Sequence, residues 1–384
     1  MEVVMLKKSK KVVAAVLAVA MIAGMTACKS DKSWAMKNDS LTAPIGVYIY
    51  NLYYAYQNAQ SLATDSSKPL LEQKIDGKDA EAYIKEKALN STKMLFVMND
   101  KMKELGLSLT ADETKSISSS TDSQWAQASS TLEKYGISKS SFNLAYSDYY
   151  TKYQKVFTAL YGKGGKKEVS DADLKAYFEK NYTDFSYFLK PLYSTDANGS
   201  TVMITESEQA ALEKEFNGYA ADIKAGKMTM QQAADAYKTS SKQTTDQLQS
   251  GTEILDSNSG FPADFLSLFS SMKPGEVKAA EISGTYLVAM KNDITKKTAE
   301  QLGTESTRSS ILAQLKGQEY SDEIEKEAAA YTNVTLNQKA IDSYKPSMFE
   351  TKTSSAAAAS SAAAASSAPA SSAAASTASA ASSK

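Results

Sequence analysis

Residues 261–294 read FPADFLSLFSSMKPGEVKAAEISGTYLVAMKNDI, and this stretch decides the fold of the region around it. Its first part predicts a short helix, because Phe265, Leu268 and Phe269 recur at the spacing of one helical face. The helical segments on either side are expected to serve as arms for this stretch. We therefore take it as the predicted functional centre.

The second part of the stretch predicts a turn and two strands. Pro274 presets the first turn position and Gly275 permits a positive φ at the next one, so residues 273–276 should reverse the chain. Strands are expected over residues 277–282 and 286–291, where residues that favour β structure occur.

This order of helix, turn and two strands resembles the closing half of a parvulin-type peptidyl-prolyl isomerase domain. The family pattern is a Phe-bearing helix, a Leu-x-Pro-Gly-Glu-Val turn and a Gly-x-His-hydrophobic strand. The chain has MKPGEV at residues 272–277 and GTYLV at residues 284–288 in the corresponding places. Tyr286 therefore stands where the family has a histidine.

The same resemblance extends over residues 183–297. A strand is expected over residues 185–193, and a capping box that begins at Thr205 opens a helix that Gly226 ends. A further cap at Thr229 opens a shorter helix. Because strand, two helices, helix and two strands follow the parvulin order, an antiparallel α+β domain is predicted.

Residues 41–182 predict several antiparallel helices. Gly106 ends one helix, the sequence TADE at residues 110–113 opens the next, and Gly136 breaks the pattern again. The segments ELGLSLT, EKYGISKSSF and EVSDADLKAYFEKNY occur in an order that resembles the helical chaperone lobe of PrsA and SurA type foldases. The resemblance implies that residues 298–335 return to this lobe and that the parvulin-like domain is an insertion.

The helix predicted over residues 45–59 is crowded with tyrosine. Tyr48, Tyr50 and Tyr54 lie off its apolar face. One interpretation is that these rings pack against neighbouring helices. The other is a peptide-binding surface, because amphipathic rings bind apolar segments at a low entropic cost. The apolar face itself consists of Ile49, Leu52, Tyr53 and Tyr56.

The first 27 residues predict a lipoprotein signal peptide. Four lysines within residues 7–11 precede an uncharged run over residues 12–24, which is too short to span a bilayer. The sequence MTAC at residues 25–28 resembles a bacterial lipobox, so Cys28 is the predicted lipidation site. The protein is then expected on the extracytoplasmic face of the cell membrane. An ordinary secretory signal with an incidental cysteine is the alternative.

Composition excludes several classes of function. The formal net charge is −1, which does not indicate binding to nucleic acid. The chain contains no histidine, so a Ser-His or Cys-His catalytic pair and a histidine metal site are excluded, and no cofactor or metal is expected. Prolyl isomerisation stays open, because it requires no nucleophile.

Isomerisation of this type needs an apolar slot for the proline ring. The resemblance implies that Phe261 and Phe265 line the slot, and Phe269 completes the predicted substrate-binding set. Ordinary core packing is the alternative role for these rings.

The reaction also needs a polar network beside the slot. Tyr286 replaces one family histidine, and a position near Tyr187 replaces the other. Ser240 lies near the position of the family Asp or Cys, and Ser283 offers a further hydroxyl. The predicted catalytic set is therefore Tyr286, Ser240 and Ser283, and its departure from the family pattern implies weak activity or none.

The C-terminal residues 353–384 are nearly pure Ala and Ser, which cannot build a core and predicts disorder. The fold class is α+β with a mostly helical content. The predicted parts are a signal peptide at 1–27, a tether at 28–40, the helical lobe at 41–182, the parvulin-like domain at 183–297, the returning helix at 298–335 and the tail at 336–384.

The predicted function is that of a membrane-anchored extracytoplasmic foldase or chaperone with weak or no prolyl isomerase activity. Its partners would be unfolded or secreted client proteins, with a homodimer left open. Two alternatives remain. One is an active parvulin-type isomerase, and the other is a structural surface lipoprotein or adhesin.

Overall fold

The structure is a computed structural model that describes residues 33–195 and 198–350. The chain divides into two compact units. Among the described residues, unit 1 comprises residues 33–160 and 318–350, and unit 2 comprises residues 161–317. Unit 2 is thus an insertion in the sequence of unit 1. Helices predominate over small antiparallel sheets, which confirms the predicted α+β class.

The first part of the chain is mostly helical, and its helix starts follow the predicted caps. The Thr110 hydroxyl accepts a hydrogen bond from the Glu113 amide at 3.1 Å, and the Glu113 carboxylate accepts one from the Thr110 amide at 2.7 Å. This exchange satisfies two amides that a helix start otherwise leaves unpaired. The elements are β1 (Trp34–Lys37), β2 (Thr42–Pro44), α1 (Ile45–Leu62), β3 (Lys74–Ile75), β4 (Lys78–Asp79), α2 (Ala80–Glu104), α3 (Ala111–Leu132), α4 (Lys139–Phe142), a π-helical turn (Asn143–Asp148) and α5 (Tyr149–Tyr161).

The middle part of the chain alternates strands and helices. Thr205 and Thr229 form the two predicted capping boxes, each of which opens a helix at the expected place. The elements are α6 (Asp171–Asn181), β5 (Thr183–Pro191), β6 (Tyr193–Thr195), β7 (Thr201–Met203), α7 (Glu206–Lys224), α8 (Met230–Ser240), β8 (Gln249–Glu253), α9 (Ala263–Ser271), β9 (Val277–Ile282), β10 (Thr285–Lys291) and α10 (Thr298–Gly303).

Folded structure extends further toward the C-terminus than the sequence predicted. The predicted tail over residues 336–384 is wrong at its start, because residues 336–350 belong to unit 1. Phe349 is buried there, with its ring 4.8 Å from that of Tyr135. A few apolar side chains suffice to hold a segment whose local sequence is polar. The elements are α11 (Glu305–Ala330), β11 (Thr335–Leu336), α12 (Gln338–Asp342) and a 3₁₀ turn (Pro346–Phe349).

Strand β1 corrects the predicted tether at residues 28–40. Its part from residue 33 onward lies within the described structure, where β1 is the central strand of a three-stranded sheet in the order β11-β1-β2. Ala35 and Met36 are fully buried, and Met36 pairs with Leu336. Met36 also pairs with Ala43 of the neighbouring β2, but Leu336 is 300 residues away in the sequence, so a local pattern could not predict the complete sheet.

Unit 2 is wider than the predicted domain at residues 183–297. Helix α6 and the segment that follows β10 belong to it as well. The Thr298 hydroxyl donates to the Glu179 carboxylate at 2.7 Å, and Arg308 forms an ion pair with Asp171 at 2.6 Å. The family resemblance assigned these helices to the helical lobe, and their apolar stripes do not by themselves identify the neighbour that covers them.

A four-stranded antiparallel sheet forms the centre of unit 2, with the strand order β8-β5-β10-β9. Because side chains alternate along a strand, the sheet has two distinct faces. The α7/α8 face carries Phe188 and Val288 against helices α7 and α8. The α9 face carries Phe185, Tyr187 and Leu287 against helix α9. We keep these two names below.

The stretch at residues 261–294 folds as predicted in its helix, turn and strands. Gly275 has a φ of 81°, a conformation that residues with a side chain rarely adopt. Its amide donates a hydrogen bond to the carbonyl of Lys291 at 2.7 Å. Strand β8 and the β6–β7 hairpin were missed. Residues 249–253 form β8, which pairs with β5.

Candidate functional site

The three predicted substrate-binding rings lie together on the α9 face. Phe261 and Phe265 are stacked with ring centroids 4.3 Å apart, and Phe269 lies 4.7 Å from Phe265. Phe265 and Phe269 are buried in the core of unit 2, so they cannot contact a ligand without a rearrangement. Only Phe261 keeps part of its surface exposed. Of the predicted set of three, Phe261 is therefore the ring that is accessible from solvent, and Phe265 packs beneath it.

A polar pair lies beside these rings. The Tyr187 hydroxyl donates to Gln249 Oε1 at 2.6 Å, and the Tyr187 ring meets Phe265 edge-on at 5.2 Å. Burial raises the pKa of Tyr187, so the hydroxyl keeps its proton and acts as a donor at neutral pH. Gln249 is exposed, so the pair presents an amide to solvent at the edge of the sheet.

Tyr286 lies on the other face of the sheet. Its ring packs 5.8 Å from that of Phe216, and its hydroxyl accepts a hydrogen bond from Asn217 Nδ2 at 3.3 Å. Neighbouring residues of a strand point to opposite faces, and Leu287 is the residue of this pair that faces α9. Tyr286 and Phe265 therefore do not line one site, contrary to the sequence interpretation.

The remaining predicted catalytic residues are also separated. The Ser240 hydroxyl donates to Glu215 at 2.8 Å, at the end of α8, and thus belongs to the α7/α8 side. The Ser283 hydroxyl donates to Asp264 at 2.9 Å, in the first turn of α9. No common polar network of Tyr286, Ser240 and Ser283 exists among the hydrogen bonds of the described residues.

Sequence reasoning missed the part that β8 contributes to the α9 face. Register pairs Gln249 with Tyr187 and Gly251 with Phe185, so these side chains share one face with Glu253. Gly251 has a specific role, because a Cβ at this position would lie 2.8 Å from Phe185 Cζ. Residues 249–253 read QSGTE, which contains no alternation of apolar and polar residues, so no local signal indicated this strand.

Unit 1 contains a cleft of about 220 Å³ between helices α1 and α2. Asn51, Tyr54 and Asn58 face it from α1 at helical spacing. The buried Asn51 side chain donates to Thr92 Oγ1 at 3.0 Å. At one side, Lys87 forms an ion pair with Glu325 at 3.6 Å. The further lining residues are Ala55, Tyr83, Asn90, Ser91 and Met94.

The tyrosines of α1 divide between core and surface. Tyr48 and Tyr50 are buried, so the packing interpretation is correct for both, and burial raises the pKa of Tyr48 to about 12. Tyr54 stays 47% exposed, and Tyr146 and Tyr150 are exposed as well. We name these three residues the tyrosine surface.

A row of ring contacts links Tyr54 and Tyr146, two of the three members of the tyrosine surface. The ring of Tyr54 lies 4.6 Å from Tyr50, Tyr50 lies 5.7 Å from Phe142, and Phe142 stacks on Tyr146 at 5.3 Å. Tyr150 follows Tyr146 after four residues. Since Tyr54 also borders the cleft, aromatic surface and amide side chains meet on one side of unit 1.

The described residues contain no group of His, Cys, Asp and Glu side chains suited to hold a metal ion. Within the same residues, no helix is both long and apolar enough to cross a membrane. Cys28 and the signal peptide lie outside the described residues, as do residues 351–384 of the predicted tail.

No protein-family model and no curated protein matches this chain. Solved structures that are similar to it include the foldase protein PrsA of Lactococcus lactis, at 15% identity and a TM-score of 0.31, over 81% of this chain and 97% of that one. PrsA of Streptococcus pneumoniae has 13% identity and a TM-score of 0.35, over 69% and 94%. A structure from work on the SurA-like chaperones PEB4 and Cj1289 of Campylobacter jejuni has 13% identity and a TM-score of 0.26, over 79% and 98%. These proteins are of the types that the sequence motifs resemble.

Proposed function

We propose that the protein is a membrane-anchored extracytoplasmic chaperone that holds unfolded client proteins on unit 1, with weak or no prolyl isomerase activity. The tyrosine surface is the observation that carries the proposal. Three of the four large apolar side chains exposed in unit 1 are tyrosines, and they are Tyr54, Tyr146 and Tyr150. Exposed rings of this kind bind apolar segments of many sequences, because they are large, stiff and amphipathic.

The cleft beside Tyr54 supports the same function. Asn58 and Asn90 carry amide side chains, which donate to a carbonyl group and accept from an amide group. Every unfolded segment exposes both groups along its main chain. A surface of amides and tyrosines therefore suits clients that share no sequence.

The geometry of the α9 face supports the proposal of weak or no isomerase activity. Phe265 and Phe269 are buried, and Tyr286 faces the other side of the sheet. An isomerase needs an open apolar slot and hydrogen-bonding groups in one place. Anchoring through Cys28 rests on the order of basic, apolar and lipobox segments in the sequence.

The test is suppression of aggregation for several unrelated unfolded proteins. Wild-type protein should suppress all of them, and the double variant Tyr54→Ser with Tyr150→Ser should lose most of this effect. Tyr193→Ser is the matched control, because Tyr193 is equally exposed but lies in unit 2. Suppression of no client would favour the adhesin alternative.

A protease-free isomerisation assay on short Xaa-Pro peptides tests the second part of the proposal. We expect little acceleration over the uncatalysed reaction, which takes tens to hundreds of seconds. Strong acceleration would replace the proposed holdase with the active isomerase alternative.

A further inference from the structure

Glu253 is a carboxyl group on the α9 face that has no partner of its own. Its strand register pairs it with Thr183, next to the pair of Gly251 and Phe185. Among the described residues, its carboxylate makes no hydrogen bond and no ion pair. The neighbouring polar groups are engaged elsewhere, since Tyr187 donates to Gln249.

The surroundings of this carboxyl group are apolar. A point at the Cβ position of Gly251 lies 2.8 Å from Phe185 Cζ and 3.0 Å from Glu253 Oε1, so the ring and the carboxylate border the same space above Gly251. Burial raises the pKa of Glu253, and burial is the only cause. Lys291, whose strand position pairs with Phe185, donates to the carbonyl of Phe269 at 2.9 Å.

A partly desolvated carboxylate without a counter-charge gains more from a cation than a solvated one does. Strand β8 is an edge strand, so a second chain can reach this face from the side. Phe261, whose ring lies 5.7 Å from that of Phe185, offers exposed apolar surface nearby. Exposed apolar surface and the carboxylate therefore both lie around Phe185 on the α9 face.

We propose that the α9 face is a second binding site, for extended client segments that carry a lysine or arginine next to an aromatic or proline ring. Phe261 contacts the ring, and Glu253 selects the cationic side chain. The inference rests on the proposed function only in taking unfolded segments as the ligands. It goes beyond that function because it assigns sequence selectivity to unit 2.

The experiment measures binding of fluorescent peptides to the full chain by anisotropy at low salt. Four peptides share a Gly/Ser frame and contain Lys-Phe, Gln-Phe, Glu-Phe or Lys-Ala. We expect Lys-Phe to bind roughly fivefold more tightly than Glu-Phe, the upper range for a partly exposed ion pair. Lys-Ala should bind more weakly than Lys-Phe, because it lacks the ring.

The variants assign the preference to one residue. Glu253→Gln should abolish the difference between Lys-Phe and Glu-Phe, and Glu253→Lys should reverse it. Glu281→Gln is the matched control, because Glu281 is an exposed carboxyl on β9 that pairs with Tyr286 and so faces the other side. The control should keep the wild-type preference.

Equal binding of all four peptides, or a charge preference that survives Glu253→Gln, would overturn the inference. Neither result would contradict the proposed function, which is tested by suppression of aggregation with the wild-type protein and the unit 1 variants. Conversely, charge-selective binding without any suppression would contradict the chaperone proposal and leave this site standing.

Discussion

The two faces of the unit 2 sheet are both rich in aromatic side chains, but helices cover them to different extents. We call the α7/α8 face the closed face and the α9 face the open face. On the α7/α8 face, Phe188 of β5 packs with Phe216 of α7 and Tyr237 of α8, and all three rings are buried. The α9 face is covered by one nine-residue helix, and it leaves Phe261 partly exposed beside the edge strand β8. Because helices cover the two faces of the sheet unequally, more side-chain surface stays accessible to solvent on the α9 face.

This difference explains where the sequence interpretation of the site failed. Tyr286 matched a family position by its distance from Gly284 along the chain. Its side chain faces the closed side of the sheet, whereas Glu253, which matched no motif, faces the open side. Proximity to an apolar ring along the sequence does not place two side chains on one face.

The largest expected effect comes from opening the closed face. Phe216→Ala should lower the free energy of unfolding of unit 2 by about 3–5 kcal/mol, because Phe216 is fully buried among other rings. Phe261→Ala should cost about 1 kcal/mol, because the ring is already partly exposed. Hydrogen exchange in β5 and β10 measures both losses. Equal losses would mean that the two faces are equally closed.

Adding a methyl group to the open face sharpens the comparison further. Gly251→Ala should destabilise unit 2 by about 1–3 kcal/mol, because the new Cβ would approach Phe185 Cζ to 2.8 Å. Gly218→Ala is the control, since no atom lies within 4 Å of its Cβ position and it lies within α7. There the same change should stabilise by about 0.5–1 kcal/mol. Opposite signs in urea unfolding of unit 2 are the expected result.

Removing one hydroxyl group from each face distinguishes an effect on stability from an effect on peptide binding. Tyr187→Phe and Tyr286→Phe each lose one side-chain hydrogen bond, so each should cost about 1 kcal/mol. Only Tyr187→Phe should alter peptide binding at the α9 face, because it releases Gln249. An effect of Tyr286→Phe on peptide binding or isomerisation, at unchanged stability, would contradict the assignment of faces.

The smallest expected effect is a dependence of stability on pH. Burial raises the pKa of Glu253 above its usual value of 4.5, so the folded state binds the proton more tightly than the unfolded state does. This stabilisation is complete below pH 4.5 and is lost as the pH rises through the folded pKa. Glu253→Gln should remove the dependence, which amounts to less than about 1 kcal/mol for a partly exposed group. Melting curves of both proteins from pH 4 to 7 measure it.

Much of the local structure followed from the sequence. The capping boxes at Thr110, Thr205 and Thr229, and the turn at Gly275, were predicted because their hydrogen bonds close within three or four residues. The helices around them followed from apolar periodicity. Strands β1, β8 and β11 were missed, since each is short and pairs with a strand far away in the sequence, although β1 also pairs with the neighbouring β2.

The sequence by itself determined the α+β class, the position of the main helices and the order of helix, turn and strands in residues 261–294. Tertiary structure decided which side chains meet. It buried Tyr48 and Tyr50, brought Phe349 into unit 1 and placed Tyr286 and Glu253 on opposite faces of one sheet. The physical reason is that caps and turns are satisfied by neighbours in the chain, whereas register and burial are fixed by contacts between distant segments.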